Sequence, residues 1–233
     1  MRAPGRASAL VAALEPRGRR QADIVAELRR VLVAGRAGPG ALVPLDQIAQ
    51  RFEVSHIPVR EALKTLQAEG LVEHTPGSGF RVARLGLPDL LELYTVRRAL
   101  EAAALGPALE RAGEDDRATA RVSLARQSAA LASGDVAAWD AESRQFHTLL
   151  VAPSGMPRLC HMIAVASNAI GPALPMVRLP ADRVRALHAD HAELTALFVA
   201  GGDPGPIQAL AAAHVERMAA WLTEAWPSAG GTR

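Results

Sequence analysis

The sequence has few of the residues that stabilise small secreted or membrane proteins. Cys160 is the only cysteine, which excludes an internal disulfide and a cysteine-based zinc site, and we expect a buried, inert thiol. No apolar run approaches the ~18 residues of a membrane span. The apolar stretch near the N-terminus is too short for a signal peptide. We therefore expect a cytoplasmic protein without a membrane partner.

Aromatic residues and lysine are also scarce. Three Trp, one Tyr and four Phe predict a core built from Leu, Ala and Val, and a hydrophobic content of 49% fits a globular, helix-rich protein. Lys64 is the only lysine, so almost all basic residues are Arg. Residues 1–84 contain 13 Lys/Arg and 8 Asp/Glu, a balance of +5, whereas the remainder has a balance of −3. A basic N-terminal part favours contact with phosphate groups.

Two helical patterns separated by a tight turn lie between residues 45 and 66. Apolar residues repeat at helical spacing in both: Leu45, Ile48, Ala49 and Phe52 in the first, and Val59, Ala62, Leu63 and Leu66 in the second. Ser55 is a good N-cap for the second helix. Pro58 follows within the first turn, where a missing N–H costs little. This is the sequence pattern of a helix-turn-helix.

The second of these helices has a polar outer face formed by His56, Arg60, Lys64 and Gln67. An apolar back and a basic front on a short capped helix suit insertion into the DNA major groove. Residues 71–74 and 80–82 then predict two short strands around 75–79, the hairpin of a wing. We predict a winged helix-turn-helix that binds DNA. The basic outer face of the second helix argues against the alternative of a winged helix that is used only for contacts with other proteins.

The remainder of the chain has helical periodicity throughout. The predicted segments are a disordered basic arm (1–20), the winged helix-turn-helix (21–84), a linker (85–88), a helical domain (89–226) and a flexible tail (227–233). Breaks at Gly and Pro divide the helical domain into six helices, over 89–111, 115–132, 135–151, 157–171, 181–200 and 204–225. The predicted fold class is mainly α, with a winged helix-turn-helix followed by an all-helical bundle.

Three histidines occupy apolar stripes on three different predicted helices. His147, His191 and His214 each share a face with large apolar residues. One such histidine is usually a satisfied core residue, but three in one small bundle predict a metal site. Imidazole prefers Zn, Ni or another borderline divalent ion. The alternative is a metal-free pocket in which the histidines bond a small molecule directly.

Arg97 is a further candidate for the same pocket. It shares a helical stripe with Leu90 and Tyr94, so its guanidinium points towards the interior of the bundle. A buried arginine needs a carboxylate, which is supplied by a ligand or by Glu101 one turn away. Asn168 interrupts an apolar stretch and is a second candidate to line the cavity.

Residues 54–63 (VSHIPVREAL), Leu66, residues 69–72 (EGLV) and the glycine-containing wing closely resemble the GntR family of bacterial transcription regulators. The helical remainder resembles the FCD effector domain of the FadR-like subfamily. The resemblance implies a homodimer that binds a pseudo-palindromic DNA operator and responds to a small carboxylate effector. It favours a repressor.

The resemblance also implies roles for single residues in DNA binding. Ser55 is expected to contact phosphate and Arg60 a guanine edge. His56 and Ile57 stand where the family usually has Arg-Thr, and Ile57 can pack on a thymine methyl but cannot bond a base edge. Lys64 and two glycines of the wing, Gly77 and Gly79, complete the predicted DNA-binding set.

In the helical domain the resemblance implies an effector-binding Arg97 and a metal bound by His147, His191 and His214. Metal-binding FCD domains have an Asp four residues before the first histidine, where this chain has Ser143. Asp140 lies two turns before His147, roughly 10 Å along the helix, which is too far for it to reach the metal. The ligand position of the missing Asp would have to be filled by a water bound to Ser143 or by the imidazole of His188. We list His188 with Arg97 and Asn168 as effector-binding candidates.

The rival interpretation is a metal-dependent hydrolase or lyase with an accessory winged helix, because three histidines with an open position can activate water. A general base is missing, since Asp190 and Glu216 are expected to point elsewhere. We therefore predict a ligand-responsive transcription regulator and not an enzyme.

Overall fold

The computed structural model describes residues 6–226, which form two compact units. One comprises the chain up to residue 85 together with 168–173, and the other comprises 86–167 together with the chain from 174 onward. The fold class is as predicted: a winged helix-turn-helix followed by a helical bundle. Within residues 6–226, no helix combines the length and apolar content needed to cross a membrane.

The first unit contains four helices and a small antiparallel sheet. Its elements are α1 (Arg6–Ala12), α2 (Gln21–Val33), β1 (Leu42–Val43), α3 (Leu45–Phe52), α4 (His56–Ala68), β2 (Val72–Thr75) and β3 (Gly79–Val82). The strand order is β1-β3-β2, with Val43 and His74 both opposite Phe80. The two wing strands were predicted, whereas the two-residue β1 was not.

The turn between α3 and α4 has the local geometry that the sequence favours. Glu53 ends α3 in the left-handed conformation with φ 54° and Ser55 occupies the N-cap of α4. The Ser55 side chain makes no capping hydrogen bond, so this cap depends on backbone conformation alone. Behind the turn, Phe52 and Leu63 are almost completely buried and hold the two helices together.

The prediction of a disordered arm over residues 1–20 is wrong for its described part. Residues 6–12 form α1, and Leu10 and Leu14 are fully buried in the core of the first unit. The Arg51 guanidinium donates to the carbonyl of Leu14 at 2.9 Å, and the backbone N–H of Glu15 donates to Glu27 at 2.5 Å. Leu10 on α1 and Leu14 just beyond its end provide the apolar surface that docks the segment. Residues 1–5 lie outside the described part of the chain.

The second unit contains six α-helices between residues 86 and 226, as predicted to within two residues at each end. They are α5 (Leu87–Arg111), α6 (Glu114–Ala132), α7 (Val136–Val151), α8 (Pro157–Ile170, whose last residues group with the first unit), α9 (Ala181–Ala200) and α10 (Gly205–Ala225). α5 begins inside the predicted linker because the Asp89 carboxylate accepts from the backbone N–H of Gly86 at 2.8 Å. The predicted tail, 227–233, lies outside the described residues.

The core of the second unit is mostly aliphatic, with a few large aromatic side chains. Phe146 from α7 and Phe198 from α9 are almost fully buried among Leu105, Leu150, Ile163, Leu194 and Ile207. Trp139 is also 1% exposed. This core fixes the inner faces of α7, α9 and α10, the three helices that carry the predicted metal-binding histidines.

Candidate functional site

The exposed face of α4 forms one wall of an open groove of about 750 Å³ in the first unit. The groove contains all four polar residues that were predicted to face outward, His56, Arg60, Lys64 and Gln67. The opposite wall comes from the sheet and includes His74, Gly79 and Phe80. The helix and the wing therefore present their polar groups to the same space.

The charged groups of this face differ in what they already contact. Lys64 pairs with Glu61 at 2.8 Å and His56 lies 3.2 Å from Asp46, both at exposed positions where such pairs are weak. Arg60 is exposed, and within residues 6–226 no carboxylate lies within ion-pair distance of it. Ile57 is 73% exposed on the same helix. Arg60 and Ile57 are thus the cation and the apolar group most available to a partner.

Gly77 and Gly79 lie at the tip of the wing with φ 78° and 76°. A Cβ atom at either position would meet open space, so glycine is required for the left-handed backbone and not for close packing. Their small size leaves the backbone of the hairpin tip accessible.

In the second unit, the three predicted histidines come together. One ring nitrogen from each of His147, His191 and His214 lies within 4.8 Å of the other two, and all three side chains are buried. Nε2 of His191 is 3.3 Å from Nε2 of His214. The cluster joins α7, α9 and α10.

The outer nitrogen of each imidazole has its own oxygen partner. His147 Nδ1 is 3.3 Å from Glu101, His214 Nδ1 is 3.0 Å from Asp190, and His191 Nδ1 is 2.6 Å from the Gln127 carbonyl. Ionised carboxylates can only accept, so Nδ1 of His147 and His214 must carry the proton. When such a ring is neutral, its lone pair is on the inward Nε2 atom.

Burial disfavours the charged form of His147 and His191. It lowers the pKa of His147 to about 4 against the partial opposition of Glu101, and it lowers the pKa of His191 well below 6.5, with further lowering from His214 and His147. The buried Nε2 of His147 has no hydrogen-bond partner among the described residues. An unsatisfied buried acceptor beside two other imidazoles fits a divalent cation, and the donor set suits Zn or Ni.

Ser143, which stands where the resemblance implies an Asp, is buried on α7 one turn before His147. Asp140 does not substitute for it, because its carboxylate pairs with Arg144 at 2.5 Å. Burial raises the pKa of Asp140 and Arg144 opposes that rise. No described carboxylate joins the three histidines as a direct ligand.

Arg97 points into the interior, as predicted. Of the two carboxylate partners considered for it, a ligand or Glu101, the structure has Glu101. Its Nε lies 2.8 Å from Glu101, both side chains being buried, although the two atoms are not aligned for a hydrogen bond. Burial by itself would raise the pKa of Glu101, but Arg97 and then His147 outweigh it and bring the pKa to about 2. Glu101 therefore connects Arg97 to the histidine cluster.

Several expectations differ from the observed geometry. Asp190 was expected to point elsewhere, which is wrong, since it bonds His214; Glu216 does point elsewhere and pairs with Arg98 at 2.8 Å. His188 lies outside the cluster, with its ring nitrogens 2.9 Å from Ser128 and 3.4 Å from Trp139. Asn168 groups with the first compact unit.

Gln127 was missed at the sequence level. It is a fully buried polar residue on the face of α6 that also contains Ala120 and Ser123. That polar interruption of a buried stripe was the available signal, but it does not identify a partner on another helix.

A winged helix-turn-helix with an exposed arginine, followed in one chain by a helical domain with a buried polar cluster, defines a DNA-binding transcription regulator. Residues 20–82 match the family of bacterial regulatory proteins described as the gntR family, and residues 92–217 match the FCD domain. The chain belongs to the GntR family and carries an FCD domain.

Relatives and solved structures agree with this assignment. The HTH-type transcriptional regulator McbR of Escherichia coli (strain K12) is 30% identical over 148 residues, which are 64% of this chain and 67% of McbR. The HTH-type transcriptional repressor GlaR of the same organism is 30% identical over 139 residues, 58% of this chain and 63% of GlaR. The matched region thus spans about two thirds of the length of these curated relatives.

The structure of E. coli McbR/YncC has a TM-score of 0.77 at 25% identity and covers 88% of this chain and 97% of its own. A GntR regulator structure from Rhodococcus sp. RHA1 has a TM-score of 0.74 at 23% identity over 89% of this chain and 99% of its own, a likeness of fold alone. The matched family is one of regulatory proteins, and the relatives McbR and GlaR are named transcriptional regulators, so the hydrolase or lyase alternative is not favoured.

Proposed function

We propose that this chain is a homodimeric repressor that binds a pseudo-palindromic operator and responds to a small carboxylate through a divalent metal in its FCD domain. GlaR, which is named a repressor, is similar over 58% of this chain and supports that sign of regulation. We further propose that the protein acts in the cytoplasm, where it meets its operator.

On the DNA side, α4 enters the major groove with its N-terminal residues towards the bases. Arg60 reads a guanine edge, because its exposed guanidinium has the paired donors that O6 and N7 accept. Ser55, whose hydroxyl does not cap the helix, contacts phosphate, and His56 and Lys64 add to the basic face. The open backbone at Gly77 and Gly79 lets the wing approach the phosphate backbone.

In the effector domain, His147, His191 and His214 hold the metal through Nε2. The single observation that carries this assignment is the buried, unsatisfied Nε2 of His147 beside the other two rings. The metal would supply a Lewis-acidic centre that binds a carboxylate. Three neutral ligands leave its charge uncompensated, since Glu101 is already paired with Arg97 and Asp190 with Arg217. An anionic effector follows from that imbalance, with Arg97 at the edge of the site to orient it.

Two half-sites must lie at a fixed separation on the duplex for a dimer to contact both. An effector that bridges Arg97 on α5 and the metal on α7, α9 and α10 would draw these helices together. We propose that this shift alters the spacing of the two recognition helices and therefore the operator affinity.

The test is a zinc titration of the full-length protein after treatment with a strong chelator, with bound metal measured by inductively coupled plasma mass spectrometry. We expect about one zinc per chain for the wild type and for His161→Ala, an exposed histidine on α8. His191→Ala should lose it. Equal zinc binding by His191→Ala and the wild type, or none by either, would reject the metal site. A small acid retained without metal would favour direct bonding by the histidines.

A further inference from the structure

The oxygen partners of the three imidazoles form a second layer around the cluster, which we call the outer shell: Glu101, Gln127 and Asp190. We propose that the outer shell sets the metal affinity of the site by orienting the three imidazoles and making their Nε2 atoms better donors to the metal. This inference rests on the proposed metal site and assigns positioning residues to it.

Each member of the outer shell comes from a different helix and holds a different ring. Glu101 on α5 lies 3.3 Å from His147, Gln127 on α6 lies 2.6 Å from His191, and Asp190 on α9 lies 3.0 Å from His214 on α10. A hydrogen bond from Nδ1–H to an oxygen fixes the tautomer and the orientation of the ring and makes Nε2 a better donor to a metal. All three inward nitrogens are therefore preset by contacts from outside the cluster.

The two carboxylates are themselves held in place. The Arg217 guanidinium donates to both oxygens of Asp190 at 2.5 and 2.6 Å, and Arg97 lies 2.8 Å from Glu101. Each carboxylate therefore lies one imidazole away from the metal position and is held there by an arginine.

Gln127 is the neutral member of the outer shell. It is fully buried, and its amide nitrogen has no hydrogen-bond partner among the described residues. Replacement by Glu keeps the length of the side chain and gives His191 a charged acceptor without removing any described contact of the amide nitrogen. Gln127→Glu should therefore act in the opposite direction from loss of a carboxylate.

The experiment measures zinc affinity of the full-length, chelator-treated protein by competition with a chromophoric chelator. Asp190→Asn and Glu101→Gln should weaken zinc about 10- to 100-fold, and Gln127→Glu should tighten it about tenfold by the same effect reversed. Asp190→Glu should recover part of the loss. Asp182→Asn, an exposed carboxylate on the same helix as Asp190, is the matched control and should bind as the wild type does.

The absorption spectrum of the Co²⁺-loaded protein gives a readout that a general loss of stability would not move. We expect Asp190→Asn to shift the ligand-field bands while the spectrum of Asp182→Asn stays unchanged. Zinc affinity equal to that of the wild type in all the outer-shell variants would overturn this inference and leave the metal site intact. Weaker zinc binding by Gln127→Glu than by the wild type would also overturn it. Absence of zinc binding by the wild type would reject the proposed metal site, and the inference with it.

Discussion

Burial disfavours the charged form of His147 and His191, and this links the histidine cluster to the stability of the protein. His147 and His191 both have pKa values below that of a free imidazole, with burial as the main cause. A neutral imidazole is the form that binds a metal, so the environment that lowers the pKa also prepares the ligand.

The metal-free protein should lose stability as the pH falls from about 6.5 towards 4. In this interval the unfolded chain binds a proton at His147 that the folded state does not, so the free energy of unfolding rises with pH. The lowering of the His147 pKa from 6.5 to about 4 corresponds to about 3 kcal/mol. Urea unfolding of chelator-treated protein at pH 7 and pH 5 should capture about 2 kcal/mol of this difference.

His147→Gln is the matching comparison and should show a smaller dependence on pH. The comparison is needed because Asp140, whose pKa is raised by burial, acts in the opposite direction as the pH falls. An identical dependence in wild type and variant would show that His147 is not the group responsible.

Ile57 is an apolar side chain exposed on a helix surface that is otherwise polar. Contact with a thymine methyl would bury it, and uracil lacks only that methyl group. After selection of an operator from random DNA, replacement of each thymine by uracil should weaken binding several-fold at one position per half-site. Ile57→Ser should remove that sensitivity. Equal effects of uracil on both proteins would place the methyl contact elsewhere.

The helices of this chain were largely predictable because their signals are local. The N-cap position at Ser55 and the apolar periodicity both act within a few residues. β1 and α1 were missed for a different reason. A two-residue strand exists only through its pairing with β3, and α1 is stabilised by packing within the first unit.

Leu14→Ala should test whether the segment following α1 belongs to the folded unit. The Leu14 side chain is fully buried, with 0% of its surface accessible to solvent. Removal of such a side chain from a core costs about 2–5 kcal/mol, and we expect thermal unfolding of the first unit at a lower temperature. Arg17→Ala, at an exposed position, should change it little. Similar unfolding of both variants would contradict the docked segment.

The recognition helix should lose affinity when its unpaired cation is removed. Arg60→Ala should weaken binding to the selected operator by about 1–3 kcal/mol and relax the preference for guanine at one position. Fluorescence anisotropy at several salt concentrations measures both affinity and salt dependence. Arg126→Ala, exposed on α6, is the control. Equal affinity of the two variants would exclude Arg60 from base contact.

For the molecule as a whole, the cluster of three histidines was predictable and the residues around it were not. His147, His191 and His214 each stood out on an apolar stripe of their own helix. Gln127 and Asp190 could not be connected to them, because contacts between helices depend on how the bundle packs. The expectation for Asp190 was wrong since helical position alone does not show which neighbouring helix a side chain meets.

Native mass spectrometry of the purified full-length protein, before and after a strong chelator and then with added zinc, is the experiment we would perform first. We predict a dimer with about one divalent ion per chain that is lost with chelator and restored by zinc, and any further bound mass should be that of a small acid. A protein that stays metal-free in excess zinc would contradict the proposed metal-dependent sensing, while its assignment as a GntR regulator would be unaffected.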